Sequence, residues 1–190
     1  MRSLITLIFS ILFISCSSTK VEKQIIDDFL KNEPRAKNIE VLVQEAVPIT
    51  EALKYYENAY NQRNLFEGEI RFAPNEYPPY TWEIDSTEIG ILKKKYQTDT
   101  VVYNWKKRDF TTPKLIITPK KRINSPENQK YGYGMYLSRP LITQDKKHAF
   151  LFYRFFAVGM GSSEKKAVLL KKVDGKWVEL YYYNNVMEIN

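Results

Sequence analysis

A chain of 190 residues, 44% of them hydrophobic, has the size of one domain and enough apolar surface for a core. Seven glycines and nine prolines exclude collagen-like or low-complexity sequence. One cysteine excludes an internal disulfide and a thiolate zinc site, and one histidine excludes any site that needs two.

At the start of the chain, Arg2 precedes an apolar run from Leu4 to Ile14, eleven residues interrupted only by Thr6 and Ser10. A membrane span takes about 20 apolar residues, so this run has the length of a secretory h-region. Phe13-Ile14-Ser15-Cys16 ends it with a small residue directly before the only cysteine. Ser17-Ser18-Thr19-Lys20 follows as a polar tether. Taken alone, Cys16 is open to two other readings, the tail of a signal peptide cut elsewhere or a thiol buried in an N-terminal helix.

The segment resembles the lipobox of bacterial lipoproteins, over residues 1–16. Phe13 stands where that family usually has Leu. The resemblance implies that Cys16 carries diacylglycerol on its thiol, that the chain is cut just before it, and that the new amino terminus takes a palmitate-type acyl chain. Residues 1–15 would then be a cleaved signal peptide, 16–20 a lipidated tether and 21–190 a single α+β domain. Each buried methylene contributes about 0.8 kcal/mol, so two or three chains hold where one would not. Neither Ser17 nor Ser18 is the Asp that often marks inner-membrane retention in enteric lipoproteins. The expected address is therefore the bacterial cell envelope, at the outer membrane.

The charge fits that address. Loss of residues 1–15 removes Arg2 and no acid, leaving 28 basic against 22 acidic residues, a formal +6. Short clusters such as Lys93-Lys94-Lys95, Lys106-Lys107-Arg108 and Lys120-Lys121-Arg122 are spread along the chain. A nucleic-acid stripe needs them on one face, and export makes nucleic acid an unexpected partner. They read either as a solvated surface or as an attraction for anionic headgroups or acidic glycans.

Thr19 and Glu22 have capping-box spacing, and Val21, Ile25, Ile26, Phe29 and Leu30 then share a helical face ended by Asn32 and Pro34. Ile39 to Val47 predicts a strand stopped by Pro48. Thr50 caps a second helix with Leu53, Tyr56, Ala59 and Tyr60 on one face, fading near Arg63. Residues 66 to 88 predict a strand or two and a long turn. Thr87 to Tyr96 predicts a third helix, although Gly90 costs about 1 kcal/mol relative to Ala. Val101 to Trp105 and Leu115 to Thr118 predict short strands, and residues 119 to 135 a loop.

His148 to Val158 is apolar on both faces and predicts a central strand covered on one side by helix. Ala167 to Val173, the Asp174-Gly175 turn and Trp177 to Tyr183 complete a three-stranded meander. The expected fold is α+β, with N-terminal helices packed on a mostly antiparallel sheet that ends in this meander. Ser138-Arg139-Pro140-Leu141-Ile142, the aromatic strand from Ala149 and Asp174-Gly175-Lys176-Trp177 are similar to the ending of many small bacterial secreted proteins and lipoproteins. That similarity implies no assigned activity.

Chemistry-bearing patterns are sparse. His148 is the only candidate for a base near neutral pH; otherwise it is a strand-end residue near the surface. Gly159-Met160-Gly161-Ser162-Ser163 lacks the Lys of a P-loop and reads as a turn. Glu67 with Glu69, and Glu83 with Asp85, would share strand faces and are the candidate carboxylate pairs for glycan hydrolysis. No motif calls for a metal or a cofactor. Tyr77-Pro78-Pro79-Tyr80-Thr81-Trp82 sets three aromatics in a stiff segment. Tyr77, Tyr80 and Trp82 are candidate ligand-binding residues that stack on sugars or anchor an interface; the alternative is that they plug the core beneath a loop. The expected function is a lipid-anchored envelope protein acting as a non-catalytic binding or assembly module, with an envelope protein or glycan as partner. The alternatives are a glycan hydrolase using paired carboxylates and an immunity or inhibitor lipoprotein.

Overall fold

A computed structural model describes residues 19–62, 82–99, 101–111, 114–160 and 163–183. Cys16, Glu67, Glu69, Tyr77 and Tyr80 lie outside these residues. Helix α1 occupies residues 19–32 and buries Ile25, Ile26, Phe29 and Leu30, the face expected from their spacing. A 3-10 turn, Pro34–Asn38, follows where Pro34 cannot continue an α-helix. The Glu22 carboxylate is held by Arg139.

Strand β1 is Val41–Val43 and helix α2 is Glu51–Gln62. Helix α3, Ser86–Tyr96, is capped by Asp85, whose carboxylate accepts from the Glu88 N–H at 2.9 Å. The later strands are β2 (Ile116–Thr118), β3 (Tyr133–Leu137), β4 (Leu141–Ile142), β5 (His148–Ala157), β6 (Ser163–Val173) and β7 (Lys176–Tyr183). Val101 to Trp105 is not a strand but a single antiparallel bridge, Asn104 to Glu45. Its partner segment has already left the ladder on the way to Pro48.

The strands form one sheet in the order β2-β1-β3-β5-β6-β7, with β4 also paired to β5. The fold is α+β, but the sheet is mixed rather than mostly antiparallel, and the helices are not all N-terminal. β1 runs parallel to both β2 and β3. Parallel neighbours need a long crossover, and the chain supplies it with the segment that carries α2 and α3. The C-terminal meander β5-β6-β7 is antiparallel, as its turns require. Asp174 and Gly175 both take positive φ, 48° and 79°, which matches the twist of a two-residue hairpin.

β5 is buried on both faces, and helices cover both, where helix was expected on one side only. Ala149, Leu151, Tyr153 and Phe155 face α1, with Leu42, Met135, Val168 and Trp177 beside them. Phe150 and Phe152 face α2 and α3, against Leu53, Tyr56, Ile89 and Leu92.

Candidate functional site

Arg139 organises the most developed site among the described residues. β3 and β4 lie along the same edge of β5, and Pro140 between them offers no N–H to the ladder. Ser138 bridges the break: its N–H donates to Phe152 O, and its Oγ accepts from the Phe152 N–H, both at 2.8 Å. Arg139 is thereby turned out of the sheet. Its guanidinium meets both Glu22 oxygens, the closest at 2.8 Å, and lies 3.6 Å from Asp99 Oδ2. It also covers the Tyr103 ring at 5.0 Å. Burial opposes the cationic form, yet the Glu22 hydrogen bonds and charge hold the guanidinium above its ordinary value. The Tyr103 phenol is pushed up to about 12, first by burial and then by its 2.9 Å hydrogen bond to Asp109.

This network forms one wall of a cleft of about 660 Å³. The other walls are Val47, Pro48 and Ile49 after β1, Leu53 of α2, and Tyr96 at the end of α3. The polar groups around the cleft are largely engaged with each other: Lys93 binds Glu57 at 2.7 Å, and Tyr96 Oη accepts from Ile142 N–H at 3.3 Å. Lys54 binds Glu51 at 3.0 Å. What faces the opening is apolar. Val101 is 80% exposed and Val102 59%. The volume falls in the range of small-ligand sites.

Of the carboxylate pairs expected from sequence, Glu83 with Asp85 lies among the described residues, and these two acids serve different partners. Asp85 caps α3, and Glu83 is bound by Lys171 at 3.0 and 3.1 Å rather than lying beside Asp85 on a strand. His148 is buried at the start of β5, with Nε2 3.3 Å from Glu83 Oε2, and is not a surface residue. Trp82 is half-buried, edge-on to Tyr56 at 5.8 Å and Tyr60 at 5.2 Å, in the core under α2.

A different acid pair is assembled from distant parts of the chain. Glu33, after α1, accepts from Tyr153 Oη at 3.1 Å, Tyr182 Oη at 3.4 Å and the Arg35 N–H at 3.1 Å. Tyr182 Oη also contacts Glu179 Oε2. Burial, then the charge of Glu33, pushes Glu179 up to about 7, with Lys166 opposing. Glu179 therefore keeps its proton to a higher pH than an ordinary carboxylic acid. The local pattern around neither residue signals this pair, because the contact depends on register across the sheet.

Among the described residues, no helix is long and apolar enough to cross a membrane, and no group of three His, Cys, Asp or Glu could hold a metal ion. No protein-family model, curated protein or solved structure matches this chain.

Proposed function

We propose that this protein is a lipid-anchored component of the bacterial cell envelope, held through Cys16 at the outer membrane. Its domain acts as a non-catalytic binding module. The observation that carries the binding role is the cleft of about 660 Å³, whose charged groups are tied to one another while Val101 and Val102 remain exposed at its edge. A site of that kind favours the apolar part of an envelope ligand, because binding there removes apolar surface from water without stranding a charge.

The test is native mass spectrometry of the lipidated chain released from its envelope in mild detergent, beside a Val47→Trp variant that fills the cleft. The expected result is a bound mass beyond the anchor in the parent protein, lost in a variant that still melts cooperatively. For both proteins, a mass equal to the anchored chain alone would refute the binding role.

The paired-carboxylate hydrolase reading has one observation in its favour, the Glu33–Glu179 pair with one acid raised to about 7. A retained proton beside a charged carboxylate is the acid–base division such an enzyme uses. Against it, Glu33 is 6% exposed and accepts three hydrogen bonds, which suits a structural tie. Release of reducing ends from envelope glycan, abolished by Glu179→Gln, would replace the binding reading with the enzymatic one.

A further inference from the structure

The position of the anchor relative to the domain constrains which face meets the membrane. Helix α1 is under way at residue 19, three residues after Cys16. Three residues span at most about 10 Å. The headgroup layer on one side of a bilayer is about 5–8 Å deep. A domain tethered this closely cannot tumble freely above the surface. Its first helical turn stands at the headgroups.

The segment from Asp99 to Thr111 is stitched to that part of α1. Arg139 joins Glu22 to Asp99 and covers Tyr103. Lys23 Nζ donates to Arg108 O at 3.0 Å, and the Thr111 N–H donates to Asp27 Oδ1 at 3.0 Å. These contacts bring Val101 and Val102, the most exposed apolar pair in the described chain, beside the start of α1. They bring Lys106, Lys107 and Arg108, all exposed, beside Lys23. The neighbouring acids are engaged in hydrogen bonds and ion pairs. Glu22 and Asp99 serve Arg139, Asp109 accepts from Tyr103 Oη and the Lys106 N–H, and Asp27 accepts from Thr111. The outward face is therefore basic with an apolar dipeptide in it. That combination suits a surface of negative headgroups over hydrocarbon.

We propose that the face formed by the first turns of α1 and residues 101–108 docks on an anionic phospholipid bilayer, with Val101 and Val102 entering the headgroup layer and the basic residues against the phosphates. This rests on the anchor at Cys16 proposed above. It adds an orientation: the edge of the cleft that carries Val101, Val102 and Tyr103 is turned toward the lipid, so apolar ligands reach the cleft from the bilayer side.

The test uses the lipidated full chain reconstituted into vesicles of three parts phosphatidylethanolamine to one part phosphatidylglycerol. Acylation blocks the Cys16 thiol, so Val101→Cys and Met160→Cys each offer one thiol for a nitroxide. Met160 is 70% exposed in the turn after β5, outside the proposed face. The expected result is a position-101 nitroxide at least tenfold more accessible to oxygen than to a water-soluble nickel relaxant relative to position 160. Lys107→Glu with Arg108→Glu should reduce that ratio toward the value at 160. An anchored protein whose nitroxides at 101 and 160 are equally accessible to the nickel reagent would overturn the docking face. So would a ratio at 101 that the double charge reversal leaves unchanged. Failure of the anchor is recognised separately, by protein that does not float with the vesicles and by a second label on Cys16; it overturns the proposal through its premise.

Discussion

Glu179 is the residue whose chemistry departs most usefully from its ordinary behaviour. Its carboxyl rises from 4.5 to about 7 because burial and the charge of Glu33 favour the protonated form. An acid raised on folding stabilises most when both states are protonated. That contribution is complete below about pH 4.5 and is lost as the pH rises to and through about 7. Glu179→Gln keeps a donor for Tyr182 and removes the titration. Urea midpoints measured from pH 4 to 8 should fall with rising pH in the parent protein relative to the variant, and the difference should level off above neutrality. Parallel curves would mean that Glu179 titrates normally.

Gly134 makes a second residue-level case. It pairs across the ladder with Phe156, and a Cβ placed on it would lie 2.3 Å from the ring's Cζ. The ring has little room to move, being 8% exposed and packed on Tyr136 at 5.2 Å. Gly134→Ala should therefore cost about 1–3 kcal/mol through overpacking, read as a lowered denaturation midpoint. An unchanged midpoint would show that Phe156 yields without loss. Neither effect is visible in sequence, since both depend on partners more than 20 residues away in the chain.

At the scale of elements, the sequence carries what is local. α1 and α2 follow from apolar residues at helical spacing, α3 survives Gly90 because Asp85 caps it, and β5 follows from its unbroken apolar run. The Asp174-Gly175 turn follows from residue chemistry alone. Gly175 holds φ 79°, so Gly175→Ala should destabilise the β6–β7 hairpin by about 1 kcal/mol, seen as faster amide exchange along β7. Unaltered exchange would place the turn's strain elsewhere.

Parity along β7 fails because of a bulge. Leu169 pairs with Tyr181 and Leu170 with Glu179, so Leu180 is the extra residue. The bulge puts Tyr182 on the same side as Trp177, facing α1, while Tyr181 and Tyr183 face α2. Simple alternation cannot anticipate that shift, and so it misses the meeting of Tyr182 with both Glu33 and Glu179. The parallel pairing of β1 is hidden for a related reason. A three-residue strand carries no record of which neighbours a crossover of some seventy residues will deliver.

Among the described residues, two helical layers on one sheet leave the cleft described above, formed where the chain leaves β1 and where Arg139 leaves the β3–β4 edge. The aromatic segment before Trp82 is conspicuous in sequence, and Trp82 itself packs inward on Tyr56 and Tyr60. The cleft has no such signature. Val47, Leu53, Tyr96, Val102 and Arg139 come from five separate stretches of chain and look like ordinary core or surface residues one at a time. The proposed anchor is the reverse case, a short contiguous pattern independent of the fold.

Every whole-molecule inference, from the envelope address to the face turned toward lipid, depends on the chemistry of Cys16. The most direct measurement is the intact mass of the protein isolated from its native envelope, with Cys16→Ala alongside. The predicted result is a chain beginning at Cys16 and carrying the added mass of a diacylglyceryl group and one amide-linked acyl chain, with no such species from the variant. An unmodified chain, or one cut at another position and bearing a free Cys16 thiol, would contradict the account.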